Sequence, residues 1–330
     1  MIQHPAVMSL LLSSFMITAM SLYASYYGLK IILKWDMGSG SELQLGLERR
    51  TYLISTILGY TLFFQILSFF LLIYTADSIH NLFTGAMCAA GSLGANVYGY
   101  PLLTLKLSNA VFCGVWLTFN HIDNKGYDYP LIKWKYRLLL LLAVLLTAET
   151  VLQFSYFANL KADLITSCCG SLFSPEKRGI AGELAGLPAQ TAMILYAAFF
   201  GAYLVCGLLA VIKGRGWYLF ATGTAGQFLI SIAALISFIS LYFYELPTHH
   251  CPFCILQKEY GYIGYLLYGL LIGGVISGVA AGAAEKFKSI GTLAGIIPQF
   301  QRRAAGTSVI LNSLFAMIVL IRIFTTTFRL

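Results

Sequence analysis

The chain has 330 residues, of which 58% are hydrophobic and only 10% are charged, and its formal net charge is +8. Soluble domains carry about 25% charged residues, so this chain cannot cover a water-facing surface of its own size. The composition excludes a soluble globular protein and predicts an all-α, polytopic integral membrane protein.

Eight apolar runs are long enough to cross a hydrocarbon core, which takes about 20 residues in a helix. They predict a bundle of eight transmembrane helices in a single membrane domain over residues 1–330. Residues 80–98 are too polar to span, and we expect a surface-lying or re-entrant segment there. In chain order, the eight runs cover residues 6–33, 52–75, 101–121, 136–158, 190–213, 217–244, 260–283 and 307–328.

Basic residues are concentrated in the loops after the first, third, fifth and seventh spans. Cytoplasmic loops carry an excess of Lys and Arg, so both termini are predicted to lie outside, in the periplasm of a bacterial inner membrane. The positive charge therefore follows from topology and predicts no nucleic-acid partner. The residues concerned are Lys30, Lys34, Arg49, Arg50, Lys125, Lys133, Lys135, Arg137, Lys213, Arg215, Lys286, Lys288, Arg302 and Arg303.

Five of the seven cysteines fall on the predicted outer side, and four of these form two close pairs in the sequence. Disulfides persist in an oxidising compartment such as the periplasm. Paired thiols there indicate a redox site, a structural disulfide or a metal site. The remaining outer cysteine is Cys88, whereas Cys113 and Cys206 lie within spans and are predicted to be small buried hydrophobic residues.

The pair Cys251–Cys254, in the stretch Cys-Pro-Phe-Cys, is the more specific signal. We expect it at the start of a helix just before the seventh span, where the helix dipole favours the thiolate. Such a pair suits redox catalysis. The same spacing also suits copper or zinc, with His249 and His250 as further ligands, or a structural disulfide.

The other pair, Cys168 and Cys169, is adjacent in sequence and is followed by loop-forming residues. Adjacent cysteines can form a strained disulfide, and strained disulfides are reactive. Alternatively, each cysteine pairs elsewhere, with Cys88 or with Cys251 or Cys254.

Glu149 lies within the fourth span, with Gln153 one turn further on. Ionisable groups inside a membrane are costly and mark functional sites. One hypothesis is that Glu149 takes up the proton released when a thiol or a quinol is oxidised. The alternative is a structural pairing with a neighbouring helix, through Lys106 or Arg322.

Haem is not expected as an internal cofactor. Two histidines would have to face each other from within spans, but the five histidines lie outside the spans or at their ends. The chain also has no Cys-x-x-Cys-His attachment motif, since Ile255 follows Cys254.

The order of elements in residues 136–283 resembles the vitamin K epoxide reductase family: an outer loop brings one cysteine pair, and a CxxC precedes the last helix of a four-helix core. The stretch from Cys251 to Lys258 is similar to the CxxC-x-x-Gln-Arg sequence of the DsbB proteins. Both families pass electrons between thiols and a membrane quinone. The resemblance implies accessory spans in 1–135, the core in 136–283 and a cytoplasmic loop with the last span in 284–330.

The resemblance also implies roles for individual residues. Cys251 and Cys254 would be the pair next to the quinone, and Cys168 and Cys169 would exchange with a periplasmic partner. Lys258 would be the basic group near the quinone. The cofactor site is completed by neighbours that could bond or stack on the quinone ring, namely Gln257, Tyr260 and Tyr262.

Two functions therefore follow from the sequence. The first is a membrane thiol–disulfide oxidoreductase that couples periplasmic cysteine pairs to a quinone. The second is a non-catalytic subunit of a respiratory, electron-transfer or metal-handling complex. In that subunit, the outer cysteines form structural disulfides or a copper or zinc site, and the protein docks a periplasmic or cytochrome partner.

Overall fold

The computed structural model describes residues 3–36, 38–161, 166, 173 and 180–329. Over these residues the chain is built from helices and turns, without a β-strand. Eight of the described helices are long and apolar enough to cross a membrane, which confirms the predicted all-α, polytopic bundle. Numbered α1 to α8, they are Pro5–Lys34, Glu42–Ser78, Gly99–Asp123, Ile132–Ala158, Ala189–Lys213, Trp217–Tyr244, Ile263–Ala283 and Ile296–Thr325.

Large apolar side chains stay exposed along these helices. Phe15, Ile194 and Leu229 are 69%, 68% and 65% exposed. Soluble proteins rarely leave contiguous apolar surface uncovered, whereas lipid tails cover such a surface at no cost. The protein is therefore a multi-pass membrane protein with a lipid bilayer as its surroundings.

Two helices begin ten or more residues earlier than the apolar runs indicated. α2 begins at Glu42 and α8 begins at Ile296, so Arg50 and Arg302 are helical instead of lying in loops. An apolar run marks only the part of a helix that lies in hydrocarbon. Arg, Glu and Gln are good helix formers, so the helix continues beyond the apolar run into the polar region next to it.

The polar segment 80–98 contains a 3₁₀ turn, His80–Leu82, and one short α-helix, Ala89–Leu93. Neither is long enough to span a bilayer, as predicted. All five residues of Ala89–Leu93 are buried.

Contacts divide the chain into two compact units. The first unit comprises Met1–Leu72, Asn96–Leu160 and Lys286–Phe300, and it contains α1, α3, α4 and most of α2. Its apolar core includes Trp116, whose indole N–H donates to the Lys135 carbonyl oxygen at 3.0 Å. Gly28 allows close packing, because a Cβ there would lie 2.8 Å from a ring carbon of Tyr136.

The second unit comprises Ile73–Ala95, Lys161–Glu285 and Gln301–Leu330, and it contains α5 to α7 and most of α8. Glycines of α7 allow close helix packing: a Cβ at Gly278 would lie 2.8 Å from the Ser308 hydroxyl, and one at Gly282 would lie 2.8 Å from the Trp217 carbonyl oxygen. The Ser308 hydroxyl in turn contacts that of Tyr203 at 2.9 Å. The three-part division at residues 135 and 283 stays a prediction.

Candidate functional site: three sulfurs and a histidine

Three cysteines of the second unit meet in its interior, and we call Cys88, Cys251 and Cys254 the sulfur cluster. Their Sγ atoms all lie within 4.8 Å of one another. The Sγ atoms of Cys88 and Cys251 are 3.6 Å apart. The side chains of Cys88 and Cys251 are 0% exposed, and that of Cys254 is 5% exposed. The CxxC is thus joined by a third cysteine.

The CxxC does not begin an α-helix, which corrects the sequence-based expectation, whereas the seventh span begins a few residues further on, as predicted. Cys254 begins a one-turn 3₁₀ helix, Cys254–Leu256, and α7 begins only at Ile263. Gly261 and Tyr262 adopt left-handed backbone conformations, with φ of +62° and +57°. These two residues separate the CxxC from α7, so the thiols do not lie in the first turn of that helix.

Two tyrosines hold the CxxC loop in place. The Tyr244 hydroxyl donates to the Cys251 carbonyl oxygen at 2.5 Å and accepts from the Ile255 backbone N–H at 2.9 Å. The Tyr268 hydroxyl donates to the Pro252 carbonyl oxygen at 2.7 Å. Buried backbone groups need such partners, so the two phenols fix a loop that lacks regular helical hydrogen bonds.

A second set of hydrogen bonds fixes the backbone on both sides of Cys88. The Gln257 amide donates to the Met87 carbonyl oxygen at 2.9 Å and to the Asp77 carboxylate at 3.1 Å. The same carboxylate oxygen of Asp77 accepts from the Ala89 backbone N–H at 3.1 Å. Because Gln257 closely follows Cys254 in the chain, this bridge ties Cys88 to the CxxC loop.

The two histidines before the CxxC have different surroundings. His249 Nε2 lies 3.3 Å from Cys254 Sγ, and its ring packs edge-on against Tyr244 with centroids 4.6 Å apart. His250 Nδ1 instead contacts the Ile236 carbonyl oxygen at 3.0 Å. Ile236 lies in a π-helical segment of α6, Leu235–Ile239, where the wider turn leaves carbonyl groups open to other donors. His249 therefore belongs with the sulfur cluster, and His250 anchors the loop to α6.

Three of the predicted cofactor-binding residues line one cleft of about 380 Å³ in the second unit: Gln257, Lys258 and Tyr262. Asp77, His80 and Met87 are among its other lining residues.

The fourth predicted cofactor-binding residue, Tyr260, is not among the residues that line the cleft and packs on Tyr244 instead, with ring centroids 4.9 Å apart. Burial raises the pKa of Tyr260 above its usual range, and Cys254 and Glu259 add to the shift. Its phenol thus remains protonated at neutral pH.

Glu149 belongs to the first unit, whereas the sulfur cluster belongs to the second. One carboxylate oxygen accepts from Lys106 Nζ at 2.6 Å and from the Gln65 amide at 2.8 Å. The other accepts from the Gln65 amide at 2.6 Å and from Asn109 at 2.7 Å. Glu149 is therefore paired with Lys106, which is one of the two structural pairings that the sequence allowed. Arg322 pairs with Glu245 at 3.1 Å.

The first unit contains a second buried ion pair that the sequence did not indicate. Lys135 Nζ lies 2.7 Å from the Asp123 carboxylate, and both side chains are 0% exposed. Lys135 was counted among the loop residues, but it lies within α4. The signal that could have revealed the pair is the Asp at the end of one apolar run and the Lys at the start of the next.

Of the other cysteines, Cys113 is buried in the core of the first unit, as predicted, and Cys206 is half-buried. The predicted exchanging pair, Cys168 and Cys169, lies outside the described residues. Comparison with protein-family models, with curated proteins and with solved structures finds no match to the chain. The function is therefore argued from the site alone.

Proposed function

We propose that the protein is a membrane thiol–disulfide oxidoreductase that passes electrons from the thiols of a partner protein to a quinone in the bilayer. The observation that carries the proposal is the 3.6 Å contact between the sulfurs of Cys88 and Cys251, beside Cys254. Thiol–disulfide exchange requires a thiolate to approach a disulfide sulfur directly, and reacting atoms about 3–3.5 Å apart are close to attack geometry.

The proposed exchange step starts from a Cys251–Cys254 disulfide. The Cys88 thiolate attacks Cys251 Sγ, a Cys88–Cys251 bond forms, and the Cys251–Cys254 bond breaks. Cys254 leaves as a thiolate, so the step moves a disulfide without net oxidation. His249, at 3.3 Å from Cys254 Sγ, stabilises this leaving group when protonated, because an adjacent imidazolium favours a thiolate.

Net electron flow needs a donor and an acceptor. A partner dithiol gives two electrons and two protons as it becomes a disulfide, and the quinone accepts both as it becomes a quinol. The cleft that contains Gln257, Lys258 and Tyr262 supplies a basic group and a phenol for the quinone ring. We keep Cys168 and Cys169 as the proposed pair that exchanges with the partner.

The burial of the three cysteines supports thiol–disulfide exchange that is shielded from solvent. Cys254 is the more open sulfur, at 5% exposure, whereas Cys88 and Cys251 are at 0%. An incoming thiol would thus meet Cys254 first, whereas Cys88 and Cys251 would be reached only by exchange within the cluster.

The test uses the full-length protein in detergent, reduced with dithiothreitol and then freed of reductant. It is mixed with a fully substituted benzoquinone, which cannot alkylate thiols. The expected result is quinone reduction in step with thiol loss, one quinone for each thiol pair, with disulfides mapped by mass spectrometry. Cys254→Ser should slow quinone reduction by about tenfold or more, and the disulfide that forms slowly as the quinone is reduced should link Cys88 to Cys251. Cys113→Ser, in the first unit, is the matched control.

Absence of quinone-dependent disulfide formation in the unmodified protein would contradict the proposal. A relay without Cys88 would be indicated if Cys254→Ser gave no Cys88–Cys251 disulfide while the unmodified protein still reduced quinone.

A second function is favoured by one observation, the grouping of three cysteine sulfurs within 4.8 Å of one another, with His249 Nε2 beside Cys254. Zinc–sulfur bonds of about 2.3 Å and zinc–nitrogen bonds of about 2.0 Å in a tetrahedron give sulfur–sulfur edges of about 3.8 Å and sulfur–nitrogen edges of about 3.5 Å. The separations of 3.6 Å between Cys88 and Cys251 and 3.3 Å between His249 and Cys254 are close to these values. His250 Nδ1 contacts the Ile236 carbonyl oxygen, so only Nε2 of that ring is left for a metal.

In this second function the protein is a non-catalytic membrane subunit that holds zinc or copper and docks a redox partner. Elemental analysis of the purified protein separates the two functions. Stoichiometric metal that is lost on Cys254→Ser and on His249→Ala would favour the metal site. Metal-free protein with quinone-linked disulfides would favour the oxidoreductase.

A further inference from the structure

A group of aromatic and basic side chains lies at one end of the first unit, where α1 ends and α2 begins. The rings of Tyr26 and Tyr27 pack edge-on at 5.3 Å. Lys30 Nζ lies 4.3 Å from the Tyr26 ring centroid, and the Arg50 guanidinium carbon lies 5.2 Å from that of Tyr27. We call Tyr26, Tyr27, Lys30 and Arg50 the basic–aromatic cluster.

The two cations of this cluster approach the same ring. Lys30 Nζ is also 5.5 Å from the Tyr27 centroid, and Arg50 donates to the Tyr27 hydroxyl at 3.2 Å. Contact with an aromatic face stabilises a cation by about 0.5–1 kcal/mol at an exposed site, but it does not neutralise the charge. The cluster therefore keeps two positive charges around the Tyr27 ring.

The two buried lysines of the first unit have carboxylate partners. Lys106 lies 2.6 Å from Glu149, and Lys135 lies 2.7 Å from Asp123. No ion pair within the described part of the chain involves Lys30 or Arg50. An anion from outside the chain would complete the cluster.

The cluster lies at the level of the lipid head groups. Lys30 is one turn before the end of α1 at Lys34. α2 has 37 residues, which at about 1.5 Å per residue makes it longer than a hydrocarbon core of about 30 Å. Its first turns, including Arg50, extend into the interface, where aromatic and basic residues concentrate.

We infer that the basic–aromatic cluster binds the phosphate of an anionic phospholipid. Arg50 uses one N–H on Tyr27 and keeps others for a phosphate oxygen, since a guanidinium has five donors. Lys30 supplies a second charge, as basic groups near membrane ends do for anionic lipids. The tyrosines hold both cations in position and pack beside the glycerol backbone. This inference does not depend on the proposed redox function.

The test compares two double variants with the same loss of charge in full-length protein. Lys30→Gln/Arg50→Gln removes the cations of the cluster, and Arg49→Gln/Lys125→Gln removes two exposed cations on the same predicted side. Binding of phosphatidylglycerol is measured by native mass spectrometry and by the thermal midpoint in mixed micelles, with phosphatidylcholine and inorganic phosphate as the other probes.

We expect the cluster variant to lose about tenfold or more of its affinity for phosphatidylglycerol, because charge-assisted hydrogen bonds are the strong ones. The control variant should bind as the unmodified protein does, and Lys30→Arg should retain binding. Equal midpoints in phosphatidylcholine would show that both variants fold. If both double variants lost the same affinity for phosphatidylglycerol, the specific site would be overturned in favour of a diffuse charge effect. If inorganic phosphate raised the thermal midpoint as much as phosphatidylglycerol does, the lipid would be overturned as the ligand.

Discussion

The two compact units stabilise their polar interiors in different ways. The first unit buries two ion pairs, Lys106–Glu149 and Lys135–Asp123, with each of the four side chains at most 1% exposed. In the second unit, the ion pair Arg322–Glu245 is 35% and 45% exposed. The described interior of that unit holds sulfur atoms and hydroxyl groups instead, in the sulfur cluster and between Tyr203 and Ser308.

The difference indicates which unit can do chemistry. A carboxylate has about four acceptor positions, and the Glu149 oxygens have four donor contacts, from Gln65, Lys106 and Asn109. Such a saturated group favours the structural pairing over the proton-accepting hypothesis. The sulfurs of the cluster, in contrast, can exchange bonds with one another without moving far.

The largest expected effect is the loss of stability when a buried charge loses its partner. Lys106→Met leaves the Glu149 carboxylate buried without its counter-charge, and breaking a buried pair costs about 3–5 kcal/mol. We expect that loss in the free energy of unfolding, measured in detergent by denaturant titration. Arg322→Met, at the exposed pair with Glu245, should cost about 1 kcal/mol or less.

The double variant Lys106→Met/Glu149→Leu separates charge from packing. Replacing a buried pair by apolar residues of similar volume is often neutral, so most of the stability should return. If the double variant were as unstable as Lys106→Met, the stability of the first unit would depend on the shape of these side chains and not on their charges. The two units would then not differ in how they stabilise their polar interiors.

Most of the fold could be predicted from the sequence, because a span in hydrocarbon must be an apolar run of a certain length. The ends of α2 and α8 could not, since polar residues such as Arg50 and Arg302 form helix as well as loop. The start of α7 was missed for a local reason. The left-handed conformations of Gly261 and Tyr262 are invisible in a hydropathy pattern, which runs on through them.

Only part of the site could be predicted from the sequence. The CxxC motif identified Cys251 and Cys254, because their spacing is local. Cys88 is 163 residues from Cys251, and no spacing rule links them. The bridge through Asp77 and Gln257 that joins the two segments is a tertiary feature in the same way. An ionisable residue near the end of the second apolar run was the available signal for Asp77.

The second prediction concerns close packing in the second unit. In Gly282→Ala the new methyl would lie 2.8 Å from the Trp217 carbonyl oxygen, and overpacking costs about 1–3 kcal/mol. Gly269 is in the same helix with no atom within 4 Å of an added Cβ, so Gly269→Ala should stabilise α7 by about 0.5–1 kcal/mol. Thermal unfolding in detergent measures both, and equal effects would contradict tight packing at Gly282.

The prediction that links structure to chemistry concerns Tyr244. Tyr244→Phe keeps the ring against His249 and Tyr260 but removes the hydroxyl that bridges Cys251 and Ile255. An unsatisfied buried backbone group costs about 1–3 kcal/mol.

Because the hydroxyl of Tyr244 positions the CxxC loop, its loss should also slow formation of the Cys88–Cys251 disulfide, followed by mass spectrometry after rapid alkylation. Tyr242→Phe is the control, since among the described residues its hydroxyl makes only a 4.0 Å contact with the Met193 sulfur. A slower exchange with a small loss of stability in Tyr244→Phe alone would assign the hydroxyl to positioning the sulfurs. Unchanged exchange despite the stability loss would mean that the sulfur cluster is held by Asp77 and Gln257 without help from Tyr244.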